Sequence, residues 1–162
     1  VPLYLGALGF ATGVIGVLMT VGAVTQILGS AASGIASDRW GRGLPLISGI
    51  VAGSVAFLVL ALTGDFTWMM IAFVLMGLAG GALAAVPAAM LGDVPYGSTG
   101  MGVALYWIVF DIAAIIGPLA SGLLADNVGF EPALHMTQIP FLLALVSSVW
   151  ALRWQAKQHP RQ

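Results

Sequence analysis

Polar residues are scarce along this chain, and they fall in clusters rather than at helical or strand spacing. Between the clusters run apolar stretches at residues 12–35, 44–63, 68–91, 101–125 and 133–152. About 20 apolar residues are needed for a helix to cross about 30 Å of hydrocarbon, and each of the five stretches reaches that length. The pattern predicts an all-α fold: a polytopic membrane helix bundle forming one membrane domain over residues 1–162. Residues 1–8 are apolar but too short to span, and they read as the end of a truncated first helix. Residues 153–162 form a polar, basic tail.

The clusters between spans are built from turn-forming residues and charges. The first is Gly34-Ile35-Ala36-Ser37-Asp38-Arg39-Trp40-Gly41-Arg42-Gly43, read as a charged turn that ends one helix and begins the next. Gly64-Asp65-Phe66-Thr67 is a tight acidic connection, and Trp68 after it suits an aromatic anchor at the membrane interface. Residues 92–100 and 126–132 supply the remaining turns. Within the first span, Gly22, Gln26, Gly29 and Ser33 share one helical face, a small-residue stripe that lets a neighbouring helix approach closely. The third span is unusually small at Gly77-Leu78-Ala79-Gly80-Gly81-Ala82, with Pro87 beyond. Pro45 lies near the start of the second span, where a missing N–H costs nothing.

Composition sharpens this picture. The chain is 60% apolar with only 7% charged residues and a mean hydropathy of +1.05. A soluble domain of 162 residues has no core large enough to hide that surface. A net charge of −1 with five basic residues excludes a nucleic-acid binder, which needs a basic face. There are no cysteines, so disulfides and thiolate metal sites are excluded. His135 and His159 lie too far apart to share a metal, and no nucleophile–base grouping or phosphate loop appears. Neither an enzyme nor a cofactor is expected.

The basic residues are Arg39, Arg42, Arg153, Lys157 and Arg161. Four spans separate the first two from the rest, so all five lie on one side. The positive-inside rule makes that side the cytoplasm of a cell (plasma or inner) membrane. One echo links the two halves of the chain. Gly34-x-x-x-Asp38-x-x-Gly41 recurs as Gly122-x-x-x-Asp126-x-x-Gly129, three spans later and on the opposite side.

With these residues in view, the sequence resembles the major facilitator superfamily of secondary transporters. Residues 34–42 match its signature between the second and third helices of each six-helix half, roughly G-x-x-x-D-R-x-G-R. Where the family often continues with another basic residue, this chain has Gly43. Ala113-x-x-x-Gly117-Pro118-x-x-Ser121-Gly122 is similar to the fifth-helix motif, G-x-x-x-G-P-x-x-G-G, with two small-residue substitutions that weaken an antiporter assignment. The resemblance implies a fragment covering the C-terminal six-helix half, with the N-terminal half missing. The short basic tail and the absence of an arginine from the third span point to that half.

Asp111 is the proton-coupling candidate. An ionised carboxylate at midspan costs about 2.5–3.5 kcal/mol on insertion scales and should face protein or a water-filled cavity. Desolvation there favours the neutral form; the alternative is a carboxylate that only bonds a neighbouring helix. The resemblance assigns Gly34, Asp38, Arg39, Gly41 and Arg42 to a cytoplasmic latch biasing two conformations, against the simpler role of topology anchors. Gly117, Pro118 and Gly122 bend their helix, as a fixed kink or as a rocking surface. Gln26, Tyr106, Trp107 and Gln138 are substrate-cavity candidates. The function implied is transport of a small solute by alternating access, coupled to protons and leaning to efflux of amphipathic compounds. Sugar or metabolite uptake, and a non-transporting scaffold, are the alternatives. The expected partners are membrane lipid, the missing half, a small-molecule substrate and protons.

Overall fold

A computed structural model describes residues 1–92 and 99–158. The expected turn at 92–100 therefore lies outside the described residues from Asp93 to Ser98, as does the end of the tail from His159 onward. The described chain is all helix: α1 Pro2–Ala7, α2 Thr12–Trp40, α3 Gly43–Leu62, α4 Phe66–Gly92, α5 Thr99–Val128, α6 Phe130–Met136 and α7 Gln138–Gln158. Five segments are long and apolar enough to cross a membrane, the last of them running through α6 and α7.

The charged stretch after residue 34 is not a turn. Helix α2 continues through Ser37, Asp38 and Arg39 to Trp40, and the chain reverses only at Gly41 and Arg42. At 29 residues α2 is about 43 Å long, well beyond the hydrocarbon thickness, so its last two turns can carry charge in water and stay helical. Arg39 and Arg42 also oppose the negative end of the helix dipole. Helix α5, with 30 residues, likewise runs past the expected residue 125 and includes Asp126 and Asn127. The expected last span is divided at Thr137, between α6 and α7. Pro140 has no N–H to donate to the Met136 carbonyl, so the helix restarts with proline in its first turn.

Helices α2 and α4 form the closest pair in the bundle, and small residues make that approach possible. A Cβ at Gly29 would stand 2.8 Å from the Leu78 Cα. On α4, a Cβ at Gly77 would collide with Thr25 Oγ1 and the Gly22 carbonyl, and one at Gly81 with the backbone of Gln26, Gly29 and Ser30. Gly77 and Gly81 are one helical turn apart, so the two backbones interlock along one seam. Helix α3 packs on the other side of α4, with Gly49 against the Ala82 methyl. Helix α7 packs on α3, with Gly53 facing the Phe141 ring and Gly43 facing Leu152.

The Gly43–Leu152 contact brings the α2–α3 turn and the end of α7 to the same end of the bundle, so Arg39, Arg42 and Arg153 share it. The opposite end holds a buried cluster of Tyr4, Leu5, Leu18, Leu60, Met69, Phe73 and Leu134. There the Tyr4 hydroxyl donates to the Leu60 carbonyl at 3.1 Å, and its ring lies against Phe130. By contrast, α5 touches only α4 and α6 among the stronger contacts, and no described residue in it is buried.

Candidate functional site

The site is built on one turn of α4. Pro87 removes the N–H that would have bonded the Leu83 carbonyl, and an unpaired carbonyl in lipid costs several kcal/mol. Tyr106 of α5 supplies the missing donor: its hydroxyl reaches the Leu83 oxygen at 2.6 Å. That bond pins α5 to α4 and fixes the Tyr106 ring. Trp107 packs edge-on against Tyr106, with ring centroids 5.5 Å apart, and edge-on against Phe110 at the same distance. Tyr106 and Phe110 close the cluster at 6.2 Å.

From the other flank of α4, the Gln26 amide of α2 lies over Gly80, where a Cβ would meet it at 3.5 Å. Gly80 and Leu83 are three residues apart on α4. Gln26 and Tyr106 therefore attach to neighbouring positions of one helix, from two different neighbours. Asp111 follows Trp107 by four residues and so lies on the same side of α5. It is about 18 Å from the start of α5 and about 26 Å from its end, deep in the span. Within this chain Asp111 is exposed, and among the described residues no ion pair reaches it. Of the two expected surroundings, protein or a water-filled cavity, the described residues of this chain supply no enclosing protein: the face that carries Asp111 is uncovered.

Gln138 does not belong to this group. Its Oε1 accepts from the Ser54 hydroxyl and its Nε2 donates to the Ser54 carbonyl at 3.2 Å. The amide is thus spent on joining α7 to α3. Gly117, Pro118 and Gly122 line a different feature: an apolar cleft of about 600 Å³ shared with Val1–Tyr4, Phe57 and Phe130. No neighbour comes within 4 Å of a Cβ built at Gly117 or Gly122, so their small size is not used for packing within this chain.

At the charged end, Arg42 Nη1 donates to Ser37 Oγ and to Asp38 Oδ1, both at 2.9 Å. Ser37 is buried, while Asp38 is 71% exposed, so the ion pair itself is worth less than about 1 kcal/mol. Gly41 breaks the helix with φ 85° and ψ 161°, a conformation that needs glycine. Gly129, its counterpart in the sequence echo, ends α5 with φ 91° and ψ 165°. The two copies of the G-x-x-x-D-x-x-G pattern thus end two long helices with the same backbone turn.

The residues missed in the sequence are Leu83 and Phe110. Pro87 was the available signal for Leu83, since a proline in a span names the carbonyl four residues earlier as one in need of a donor. Replacing Tyr106 by Phe leaves that carbonyl unpaired and is expected to cost about 1–3 kcal/mol. Thermal unfolding of the purified full-length protein will register it as a lowered Tm, with little change if a water takes over the bond.

The comparisons with known proteins agree with this architecture. The family model described as Major Facilitator Superfamily matches residues 1–162. The chain is 31% identical over 144 residues to a Na(+), Li(+), K(+)/H(+) antiporter of Planococcus maritimus, an alignment covering 85% of this chain and 34% of that protein. It is 28% identical over 158 residues to the multidrug resistance protein MdtG of Escherichia coli, covering 94% of this chain and 38% of that one. The chain thus spans about a third of the length of these curated relatives. A crystal structure of a mutant peptide transporter POT with alafosfalin superposes with a TM-score of 0.80 at 18% identity, over 90% of this chain and 31% of that one. A family match along the whole chain, on an all-helical bundle with five apolar spans, makes this chain a member of the Major Facilitator Superfamily of membrane transporters.

Proposed function

We propose that this chain is the C-terminal six-helix half of a proton-coupled transporter that exports amphipathic compounds by alternating access. The observation that carries the reading is Asp111, a carboxylate deep in α5 on a face that none of the described residues covers. A second half lying against α2, α4 and α5 would enclose Asp111, Trp107 and Gln26 in a pathway, and a carboxylate enclosed there can take and release a proton as access alternates. The absence of an arginine from α4 favours the C-terminal half. An antiporter and a multidrug resistance protein among the relatives support proton coupling and efflux.

In this reading the end of the bundle that holds Arg39, Arg42 and Arg153 is cytoplasmic, by the excess of basic residues there. Asp38, Arg39 and Arg42, framed by Gly34 and Gly41, act as the cytoplasmic latch, and its loss biases the transporter toward the inward-open state. This chain contributes no cysteine, so in a full-length protein cleared of any others a single one introduced at Gln26 reports access. Asp38→Asn will raise its labelling from the cytoplasmic side severalfold; unchanged labelling would leave these charges as topology anchors.

The whole reading is tested with the full-length protein in proteoliposomes, recording proton movement as solutes are added. Solute-dependent proton efflux, with amphipathic compounds as the active class, is the expected result. Sugars or polar metabolites as the active class would replace export of amphipaths with uptake. A protein that inserts and folds but moves nothing is a scaffold.

A further inference from the structure

We propose that Asp126 is an outer latch, pairing with a basic side chain of the N-terminal half when the pathway is closed to the outside. The inference rests on the transport reading above and adds a second closing contact, at the end of the bundle opposite Asp38.

The echo between α2 and α5 is longer than the turn that ends each helix. Gly29, Ser33, Gly34, Asp38 and Gly41 recur at one constant spacing as Gly117, Ser121, Gly122, Asp126 and Gly129. The structure makes the two stretches equivalent. They close helices of nearly equal length, 29 residues in α2 and 30 in α5, and each aspartate stands two residues before its helix ends. Both helices then turn through a glycine at positive φ, 85° at Gly41 and 91° at Gly129. The two ends lie on opposite sides. Asp38 shares the end marked by the Gly43–Leu152 contact, whereas Asp126 precedes Phe130, whose ring packs on Tyr4 at the other end.

What differs is the neutralising charge. A carboxylate in the last turn of a helix stands at the negative end of the helix dipole, where it is disfavoured. Asp38 is offset by Arg42 at 2.9 Å. In the second copy, Phe130 takes the place of Arg42 and Asn127 that of Arg39. The Asn127 amide donates to the Leu123 carbonyl at 2.7 Å. Asp126 is exposed, and no ion pair reaches it among the described residues. Residues 57–73 and 118–137 contain no Lys or Arg, and Asp65 and Glu131 there carry charge of the same sign. His135 lies one turn beyond Glu131 on α6. The base that balances Asp126 is to be sought outside this chain.

The rest of the protein is its source. The chain spans about a third of the length of its relatives, and α5 is the helix with the open face. Gly29 is used for contact, since a Cβ there would strike the backbone of α4, but its counterpart Gly117 has nothing within 4 Å. A helix of the other half that closes on α5 at Gly117 and Gly122 brings its own outer end to Asp126, one turn further on. A Lys or Arg at that end gains an ion pair and offsets the dipole. Opening to the outside breaks the pair.

The test uses the full-length protein with its only cysteine at Gln26, labelled from either side of the membrane with an impermeant thiol reagent. Asp126→Asn will raise labelling from outside about two- to fivefold, the range an exposed ion pair supplies, and will not raise it from the cytoplasm. Asp126→Glu will label as wild type does. Glu131→Gln removes an outer acid that is not part of the repeat and will leave labelling unchanged. With about 1 M salt outside, which screens exposed pairs, wild type will approach Asp126→Asn. If wild type labels from both sides, unchanged outside labelling in Asp126→Asn, or an equal rise in Glu131→Gln, would overturn the latch and leave the transport reading standing. Wild-type labelling from one side only would sink the transport reading and the latch with it.

Discussion

With asparagine in place of Asp111, the full-length transporter will reach the membrane in normal amount and lose proton-driven flux. Asparagine preserves the size and much of the polarity of the side chain but cannot exchange a proton. A group that only braces a neighbouring helix would tolerate this change; a proton carrier would not. The position makes a bracing role hard to fill from within this chain, because α5 leaves Asp111 uncovered and without an ion-pair partner among the described residues. The expected loss is at least 100-fold in flux under a pH gradient, the scale on which positioned acid–base groups contribute. Solute exchange without a gradient should persist, because it needs no net proton transfer. Asp111→Glu should recover part of the driven flux. Wild-type driven flux in Asp111→Asn would remove Asp111 from the proton pathway.

The second large effect is on the fold. Gly77→Ala will sharply lower the amount of folded protein, although alanine is the better helix former. A methyl group at Gly77 has no room: it meets the Thr25 hydroxyl oxygen and the Gly22 carbonyl, one of them backbone that cannot swing away. The α2–α4 seam must open by more than an ångström, and the contacts along its length are lost together. Overpacking ordinarily costs about 1–3 kcal/mol, and a backbone collision in the closest helix pair belongs at or above the top of that range. Gly80→Ala is the control three residues away. Its Cβ would meet the Gln26 side chain at 3.5 Å, an ordinary contact, so it should fold normally. Detergent-extracted protein followed by size-exclusion chromatography and thermal unfolding will separate the two. Equal behaviour would mean that the seam is looser than its geometry.

These two predictions differ in how far the sequence alone supports them. Asp111 stands out in any reading, because a lone carboxylate in a long apolar run is costly and needs a reason. The glycines do not sort themselves. Gly77, Gly80 and Gly81 look alike in the sequence, and only the position of α2 distinguishes the two that cannot change from the one that can. The same holds for the amides. Gln26 and Gln138 each look like a polar group in search of a partner; one lies over Gly80 of α4, three residues from the Leu83 carbonyl that Tyr106 reaches, and the other is committed to Ser54. The charged stretch looks like a turn in the sequence because charge often marks chain reversal, whereas a helix longer than the membrane is thick, as α2 is, carries charge on its projecting end.

By itself the sequence determined the class and the order of this protein: an all-helical membrane bundle, five apolar spans, and the charges and glycines that separate them. Those follow from the cost of placing charge and unpaired backbone in hydrocarbon, which acts on each segment independently. Which faces meet was decided only in three dimensions. In lipid, the surface turned to a neighbouring helix and the surface turned outward are both apolar, so these spans carry no amphipathic stripe to point the way. Facing direction is set instead by where small residues let backbones interlock and where a freed carbonyl finds a donor. That is why the Gly22–Gly77 seam and the Tyr106–Leu83 bond, and with them the exposed face of α5, belong to the tertiary structure alone.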